Sequence, residues 1–264
     1  MNVIDKKMIA HSFGLAANTY DSVAYFQRWV GDKLIEKIPN CSPGTMVDLG
    51  CGTGHFSDAL KQKFSNAKYI GMDLSEDMAK YAKHHHASDN SWITADAESL
   101  PFKSNSIDLI FSSLAIQWCS DLPNLMKEIK RVLSPKGVFA FSTLLDGSLK
   151  ELKEAWSELD DKQHVNDFFR EEDYQEAIKL SGFEVGLLSE GCKVLKYQKL
   201  TELMRELKAL GAHNLNARRS TTLMGRHKLS GIISAYEKFR VDESYLPASY
   251  EVLWGVLMKN ALNI

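Results

Sequence analysis

Short apolar runs alternate with stretches of helical periodicity along most of the chain. Met46-Val47-Asp48-Leu49 leads into Gly50, Gly52 and Gly54, and an amphipathic pattern follows from His55. That order predicts strand, tight loop, helix. Lys68 to Asp73 predicts the next parallel strand, which ends in an acid. Ser75 caps a helix carrying Met78, Ala79 and Tyr81, with Glu76 and Asp77 in its first turn. Ser91 to Asp96 predicts a third strand. Ser106 to Ser113 is nearly continuous in apolar character, as suits a strand buried on both faces. A helix from Pro123 carries Leu125, Met126, Ile129 and Leu133. Ser134-Pro135-Lys136-Gly137 turns the chain, and Val138 to Thr143 forms a fifth strand.

Ahead of this alternation, Val23, Phe26, Val30, Leu34 and Ile38 predict a helix over about 22–38, ended by Pro39. The preceding segment from Phe13 to Tyr20, small residues flanked by aromatics, reads either as a cover over a pocket or as a plain N-terminal arm. After the fifth strand, Leu149 to Leu159 is amphipathic, and a helix from Glu171 to Leu180 closes at Ser181-Gly182. Phe183-Glu184-Val185 starts a strand that Cys192 to Tyr197 extends or pairs with. Residues 201–240 read as mainly helical, and Tyr250 to Met258 is a strong closing strand. The pattern predicts an α/β fold built on a doubly wound, seven-stranded, mostly parallel sheet. It is one domain over 1–264, with a helical cover in 1–40, a core in 45–200 and a helical lid insertion in 197–245 before the last strand.

Composition narrows the function classes. Hydrophobic residues make up 44% of 264, enough for a substantial core, and a formal net charge of -2 argues against a nucleic-acid partner. Cys41, Cys51, Cys119 and Cys192 are scattered without a C-x-x-C pair, so neither a disulfide framework nor a zinc site is expected, and a reducing cytosol is the simplest compartment. The N-terminus lacks a signal-peptide pattern, and no run approaches the ~18 apolar residues of a membrane span. His84-His85-His86 falls at a helix end, where three consecutive side chains diverge, so a favourable helix-terminal charge is expected there and a metal is not.

The glycine spacing carries the chemistry. A dinucleotide fingerprint is G-x-G-x-x-G, whereas Gly50, Gly52 and Gly54 give G-x-G-x-G with Asp48 ahead. An acid there suits a cationic ligand and repels a pyrophosphate. The glycines are expected to let backbone approach the ligand, and the helix start to place free N–H groups beside it. Asp73 ends the second strand, where an acid commonly accepts from ribose hydroxyls. Asp96 is placed to take an adenine amino group, with Ala97 supplying a backbone N–H. Gln117 and Trp118 follow the fourth strand, beyond whose carboxyl end an acceptor would sit, though Trp118 reads equally well as packing. The D-x-G-x-G-x-G pattern resembles the first motif of class I S-adenosylmethionine-dependent methyltransferases.

Further stretches resemble a narrower family, the malonyl-acyl-carrier-protein O-methyltransferases of biotin synthesis. They are Phe13-Gly14 to Tyr20-Asp21, Leu114 to Cys119, Phe141-Ser142-Thr143-Leu144, His164-Val165-Asn166, Leu207-Lys208 with Gly211-Ala212, and Leu246-Pro247 to Gly255. Thr222-Leu223 and Leu49 depart from the family pattern without touching the chemistry. The resemblance implies transfer of a methyl group from S-adenosyl-L-methionine to the free carboxylate of a malonyl thioester carried on acyl carrier protein. S-adenosyl-L-homocysteine is then the product. The methionine side of the donor falls to Asp48, Gly50, Cys51, Gly52 and Gly54, with Ser112 nearby. The adenosine side falls to Asp73, Leu74, Met78, Asp96 and Ala97. Tyr20 closes over the methyl donor, Gln117 and Trp118 lie at the acceptor, and Arg219 and Arg226 are candidates for its carboxylate.

The lid is locally basic, through Arg205, Lys208, Arg218, Arg219, Arg226, His227, Lys228, Lys238 and Arg240. Such a run is a solvated surface, a carboxylate clamp or a surface that steers an acidic protein. Two other readings keep the cofactor residues: a methyltransferase for another small carboxylic acid or a quinone precursor, and a non-catalytic S-adenosylmethionine-binding module.

Overall fold

The computed structural model describes residues 5–212 and 225–260. In chain order the elements are α1 (Lys6–Val23), α2 (Tyr25–Lys37), β1 (Thr45–Leu49), α3 (Ser57–Lys63), β2 (Lys68–Asp73), α4 (Glu76–His85), β3 (Ser91–Thr94) and β4 (Ile107–Ser113). A single 3-10 turn, Ile116–Trp118, then precedes α5 (Leu122–Val132), β5 (Leu133–Leu144), α6 (Lys150–Ser157), α7 (Glu171–Ser181), β6 (Glu184–Tyr197), α8 (Leu200–Ala209), α9 (Arg226–Glu237) and β7 (Leu246–Met258).

The strands form one seven-stranded sheet in the order β3-β2-β1-β4-β5-β7-β6. The pairs from β3 across to β5 are parallel, and β7 runs antiparallel to both β5 and β6. The strand order reverses between β1 and β4. The carboxyl ends of those two strands therefore frame a crevice, the usual ligand position in open α/β sheets.

Strand alternation sorts the core onto two faces. Met46, Tyr69, Leu109 and Phe111 pack with Phe26, Val30 and Leu34 of α2, which recur at helical spacing. Val47, Leu49, Ile110 and Phe139 pack on the opposite side with Leu125, Met126 and Ile129 of α5 and Tyr174 of α7. Among the described residues, no helix is long and apolar enough to cross a membrane.

Two elements differ from the sequence expectation, and a third settles one of its open alternatives. The helix expected to begin near Ser22 is two helices that break at Ala24, and α1 takes in the whole segment from Phe13 to Tyr20. Asp5 caps it, accepting from the Lys7 and Met8 amides. Gly14 lets α1 lie close to α4, since a Cβ there would fall 2.9 Å from Asp77 Oδ2. The turn expected at Ser134–Gly137 is folded into β5, with Lys136 at φ 66° donating its N–H to Lys259 O at 2.8 Å. Finally, β6 is one strand of 14 residues, with a register shift between Val185 and Leu187.

Candidate functional site

The loop after β1 is built by the chain itself. Gly50, Gly52 and Gly54 have φ of 75°, 54° and 83°, in the left-handed region that side chains resist. A Cβ on Gly50 would lie 2.2 Å from Ala115 Cβ, and one on Gly54 2.6 Å from the Trp92 ring. A Cβ on Gly52 would meet no atom within 4 Å. Of the three, only Gly52 has room for a side chain, while the Gly50 backbone lines the first two cavities described below.

The amide groups of the loop are also occupied. Gly50 and Cys51 donate to Met72 O, Gly52 to Asp73 Oδ2 at 2.9 Å, and Gly54 to Cys51 O. Helix α3 starts only at Ser57. Four amides of the turn are thus satisfied within the chain, that of Gly52 by holding the Asp73 carboxylate.

Asp73 is the better for it. Its two oxygens accept from Gly52 N–H and from Ser75 N–H, the latter at 2.7 Å. These bonds oppose the upward push of burial on its carboxyl. Asp48 is buried at 2% exposure and accepts from the Tyr69 hydroxyl at 2.8 Å. Burial drives its carboxyl up to about 7, with the Tyr69 bond opposing and the Asp73 charge adding.

Three cavities adjoin at this end of the sheet. The main cleft encloses about 770 Å³ of space, part of it open to solvent, between the Gly50–Gly52 turn, Asp73, Leu74, Met78, Asp96 and Ala97. A second cavity is walled by Asp48, Cys51, Thr53, Asp21 and Arg28. A third is largely apolar, between Phe13, Phe26, Leu149, Leu207 and Tyr250. Tyr20 lines all three, and Trp118 lines the first and third. Trp118 meets the Phe13 ring edge-on at 5.4 Å, so its packing and its place at the cavity coexist. Gln117 is buried at 6% exposure and lines the third cavity. The turn that carries both starts from Leu114, held at φ 50°, a strained backbone state at the carboxyl end of β4.

The structure thus gathers Tyr20, Asp48, Gly50, Cys51, Gly52, Asp73, Leu74, Met78, Asp96, Ala97, Gln117 and Trp118 around one connected space. Two expected residues stand behind it. Gly54 packs on Trp92 and His86. Ser112 is fully buried and donates to Leu49 O at 2.8 Å, while its neighbour Ser113 lines the first two cavities. Alternation along β4 places one serine in the sheet and the next at the cleft. Arg218 and Arg219 lie outside the described residues, as does the side chain of Arg226 at the start of α9.

Other contributors come from distant parts of the chain. Lys6 pairs with Asp96 at 2.6 Å and with Glu98, at the mouth of the main cleft. Asp21 accepts from the Thr53 hydroxyl at 2.8 Å, tying the other end of α1 to the glycine loop. His86 contacts Thr53 O at 2.9 Å through Nε2 and stacks obliquely on Trp92 under the loop. Arg28, donating to Asp21 O, adds a cation to the second cavity, which Asp48 also lines. His84 and His85 lie in the last turn of α4 and His86 caps it, as expected, and His86 also braces the loop. Among the described residues no group of acids, histidines and cysteines is arranged to hold a metal. The basic character expected of residues 197–245 is partly neutralised: Lys228 pairs with Asp160 at 2.5 Å, Lys238 with Glu154 at 2.8 Å and Glu158, and Arg240 with Glu237 at 2.7 Å.

Comparison with known proteins agrees with this geometry. A family model described as a methyltransferase domain matches residues 47–141. The biotin biosynthesis bifunctional protein BioHC of Cellvibrio japonicus is 43% identical over 257 residues, covering 97% of this chain. The chain spans 51% of that longer protein. The malonyl-acyl-carrier-protein O-methyltransferase of Methylococcus capsulatus is 39% identical, covering 97% of this chain and 94% of that one. Its counterpart in Pectobacterium atrosepticum is 36% identical, covering 97% and 98%.

Among solved structures, the YcgJ protein from Bacillus subtilis superposes with a TM-score of 0.64 over 88% of this chain and 99% of that one, at 18% identity. Geranyl diphosphate C-methyltransferase from Streptomyces coelicolor, in complex with Mg2+, geranyl diphosphate and S-adenosyl-L-homocysteine, gives 0.54 over 87% and 78%, at 14% identity. Those two likenesses are of fold. With 36% to 39% identity over nearly the full length of both proteins, the chain belongs to the malonyl-acyl-carrier-protein O-methyltransferases, a family of class I methyltransferases.

Proposed function

We propose that this chain transfers the methyl group of S-adenosylmethionine to the free carboxylate of a malonyl thioester, with malonyl-acyl carrier protein the preferred acceptor. The product is the methyl ester that enters pimeloyl and biotin synthesis. The observation that carries this reading is the meeting of three cavities at Tyr20, one rimmed by Asp73 and Asp96, one holding both Asp48 and Arg28, and one largely apolar.

The residues fit the donor. Asp73 is preset at the tip of β2 for ribose hydroxyls, and Asp96 and Ala97 face the adenine side of the cleft. Asp48 and Arg28 offer opposite charges for the amino and carboxylate groups of the methionine end. Gly52 leaves room for close backbone approach.

When bound, S-adenosylmethionine supplies a sulfonium methyl, an electrophile that needs no further activation. The acceptor carboxylate is already ionised at neutral pH, so no general base is required. One carboxylate oxygen bonds to the methyl carbon, the carbon–sulfur bond breaks, and its electron pair stays on sulfur. The chain contributes orientation of donor and acceptor. Tyr20 closes the junction between donor and acceptor, and its hydroxyl stays protonated because burial and the Asp73 and Asp21 charges raise its pKa.

The N-terminal residues 1–40 act as the cover, with α1 tied at Lys6 and at Asp21. Residues 197–245 act as the lid, since Leu207, Leu210 and Ala212 wall the apolar cavity. Arg219 and Arg226 are its candidates for capturing the carboxylate. Four unpaired cysteines accord with a reducing, cytoplasmic setting.

The test is methyl transfer from labelled S-adenosylmethionine to malonyl-acyl carrier protein, with acetyl-acyl carrier protein as control. Label on the malonyl form alone, lost in the Arg219→Ala, Arg226→Ala double variant, supports reaction and clamp together. Tight cofactor binding without label on either carrier overturns the malonyl assignment.

A further inference from the structure

The apolar cavity contains an anomaly. Among its described lining residues no side chain is charged, yet three carry amides, Gln27, Gln117 and Asn166. Asn166 is engaged with Ala212 O. The carbonyl oxygens of Gln27 and Gln117 are buried with no hydrogen-bond partner. Buried polar groups are nearly always paired, so two orphaned amide oxygens on one cavity, at positions that a turned amide would fill with N–H groups, call for a partner from outside the chain.

Both are held in place by their surroundings. Gln117 sits in the 3-10 turn after strained Leu114, and it is 6% exposed. Gln27 follows Phe26 on α2, whose ring packs on Tyr250 with centroids 4.5 Å apart. Gln27 also lines the cavity that holds Asp48 and Arg28. It therefore stands with Tyr20 where the donor and acceptor cavities adjoin.

We propose that Gln27 and Gln117 hold the acceptor carboxylate and orient its attacking oxygen. This rests on the malonyl reading above and deepens it. The two ends of an amide have the same shape, so each side chain can turn its N–H groups toward an anion. One neutral donor from each amide holds the carboxylate without neutralising it. A guanidinium would engage both oxygens bidentately and draw on the lone pair that must attack. A carboxylate has about four lone-pair sites, enough for one N–H from each amide, one from an arriving arginine and the bond being formed. The oxygen that attacks the methyl carbon takes its electron pair from one such site. No proton moves.

The test uses the full chain with malonyl-acyl carrier protein as substrate and acetyl-acyl carrier protein as a competitive inhibitor. The inhibitor carries the thioester arm without the carboxylate. Gln27→Leu and Gln117→Leu are expected to lower kcat/KM for the malonyl form about 10- to 100-fold each. The inhibition constant of the acetyl form is expected to stay within about twofold, because only carboxylate contacts are removed. Should either variant fold poorly, Gln27→Glu and Gln117→Glu keep the shape. Their activity relative to wild type is expected to rise as pH falls from 8 to 6, as the new carboxyl protonates and stops repelling the substrate.

Equal weakening of malonyl and acetyl forms, or unchanged malonyl kinetics, overturns the amide assignment while the reaction stands. A wild-type chain that leaves malonyl-acyl carrier protein unlabelled overturns both.

Discussion

The Tyr69 hydroxyl donates to Asp48 Oδ2 at 2.8 Å, and so anchors a carboxyl that burial drives up to about 7. In the unfolded chain the same group titrates near 3.9. Between those values the unfolded state binds fewer protons than the native state, so the contribution of Asp48 to stability falls as pH rises from about 4 to about 7. The full change is up to about 4 kcal/mol. Asp48→Asn is expected to flatten that arm of the stability curve. Urea titrations of both proteins at pH 5 and pH 8 check it, and equal pH slopes would count against the buried, raised carboxyl.

The glycines of the loop are expected to respond differently to alanine. Gly50→Ala forces two Cβ atoms to 2.2 Å as well as keeping a left-handed backbone, so it costs folding stability first. Gly52→Ala meets no atom of the chain and costs only about 1–2 kcal/mol of backbone strain. Its main effect is on the ligand, with cofactor affinity reduced about 10- to 100-fold. Calorimetric titration alongside thermal melts separates the two. A Gly52→Ala chain that binds S-adenosylmethionine as wild type does would place the cofactor elsewhere.

Helix α1 bonds to the glycine loop through Asp21 and Thr53. Thr53→Val keeps the shape and removes the donor. Release of S-adenosylmethionine is expected to quicken about fivefold, the worth of one hydrogen bond holding the cover. Stopped-flow displacement measures this directly, and an unchanged release rate would argue that α1 does not gate the cleft.

Tyr20 keeps its proton because burial, Asp73 and Asp21 all disfavour the phenolate. Its raised pKa predicts that no tyrosine limb enters the rate profile below pH 10. Tyr20→Phe is expected to lower kcat about 3- to 10-fold at every pH from 7 to 10, with curves that run parallel. A wild-type limb near pH 9 that vanishes in the variant would make Tyr20 a titrating group instead.

The parts of the site that were legible in the sequence lie in one compact stretch. Asp48, the glycines and Asp73 sit at strand ends that apolar runs announce, and strand spacing alone brings them together. Gln117 and Trp118 were legible for the same reason, following β4. Lys6, Gln27, Arg28 and His86 were not. Lys6, Gln27 and Arg28 lie on helices whose periodicity assigns them to a polar face, and His86 caps the end of α4; only the packing of α1, α2 and α4 around the crevice turns them inward. Ser112 and Ser113 show the limit within a strand, where a one-residue difference decides between sheet interior and cleft. The sequence left open whether β6 is one strand or two because Gly186, Ser189 and Gly191 interrupt its alternation.

The position of β7 has a consequence for how the chain is made. It is the last strand in sequence, yet it lies between β5 and β6. Emerging from the ribosome, β1 to β4 can pair as soon as they appear, and with them the half of the crevice that carries Asp48 and Asp73. The edge of β5 has no partner until residues 246–258 arrive, over a hundred residues later. Until then that edge is an open template for other chains, and Tyr250 is missing from the acceptor wall. A nascent chain stalled before residue 246 is therefore expected to hold a donor-side cradle without an acceptor side, and to depend on chaperones to keep its β5 edge from self-association.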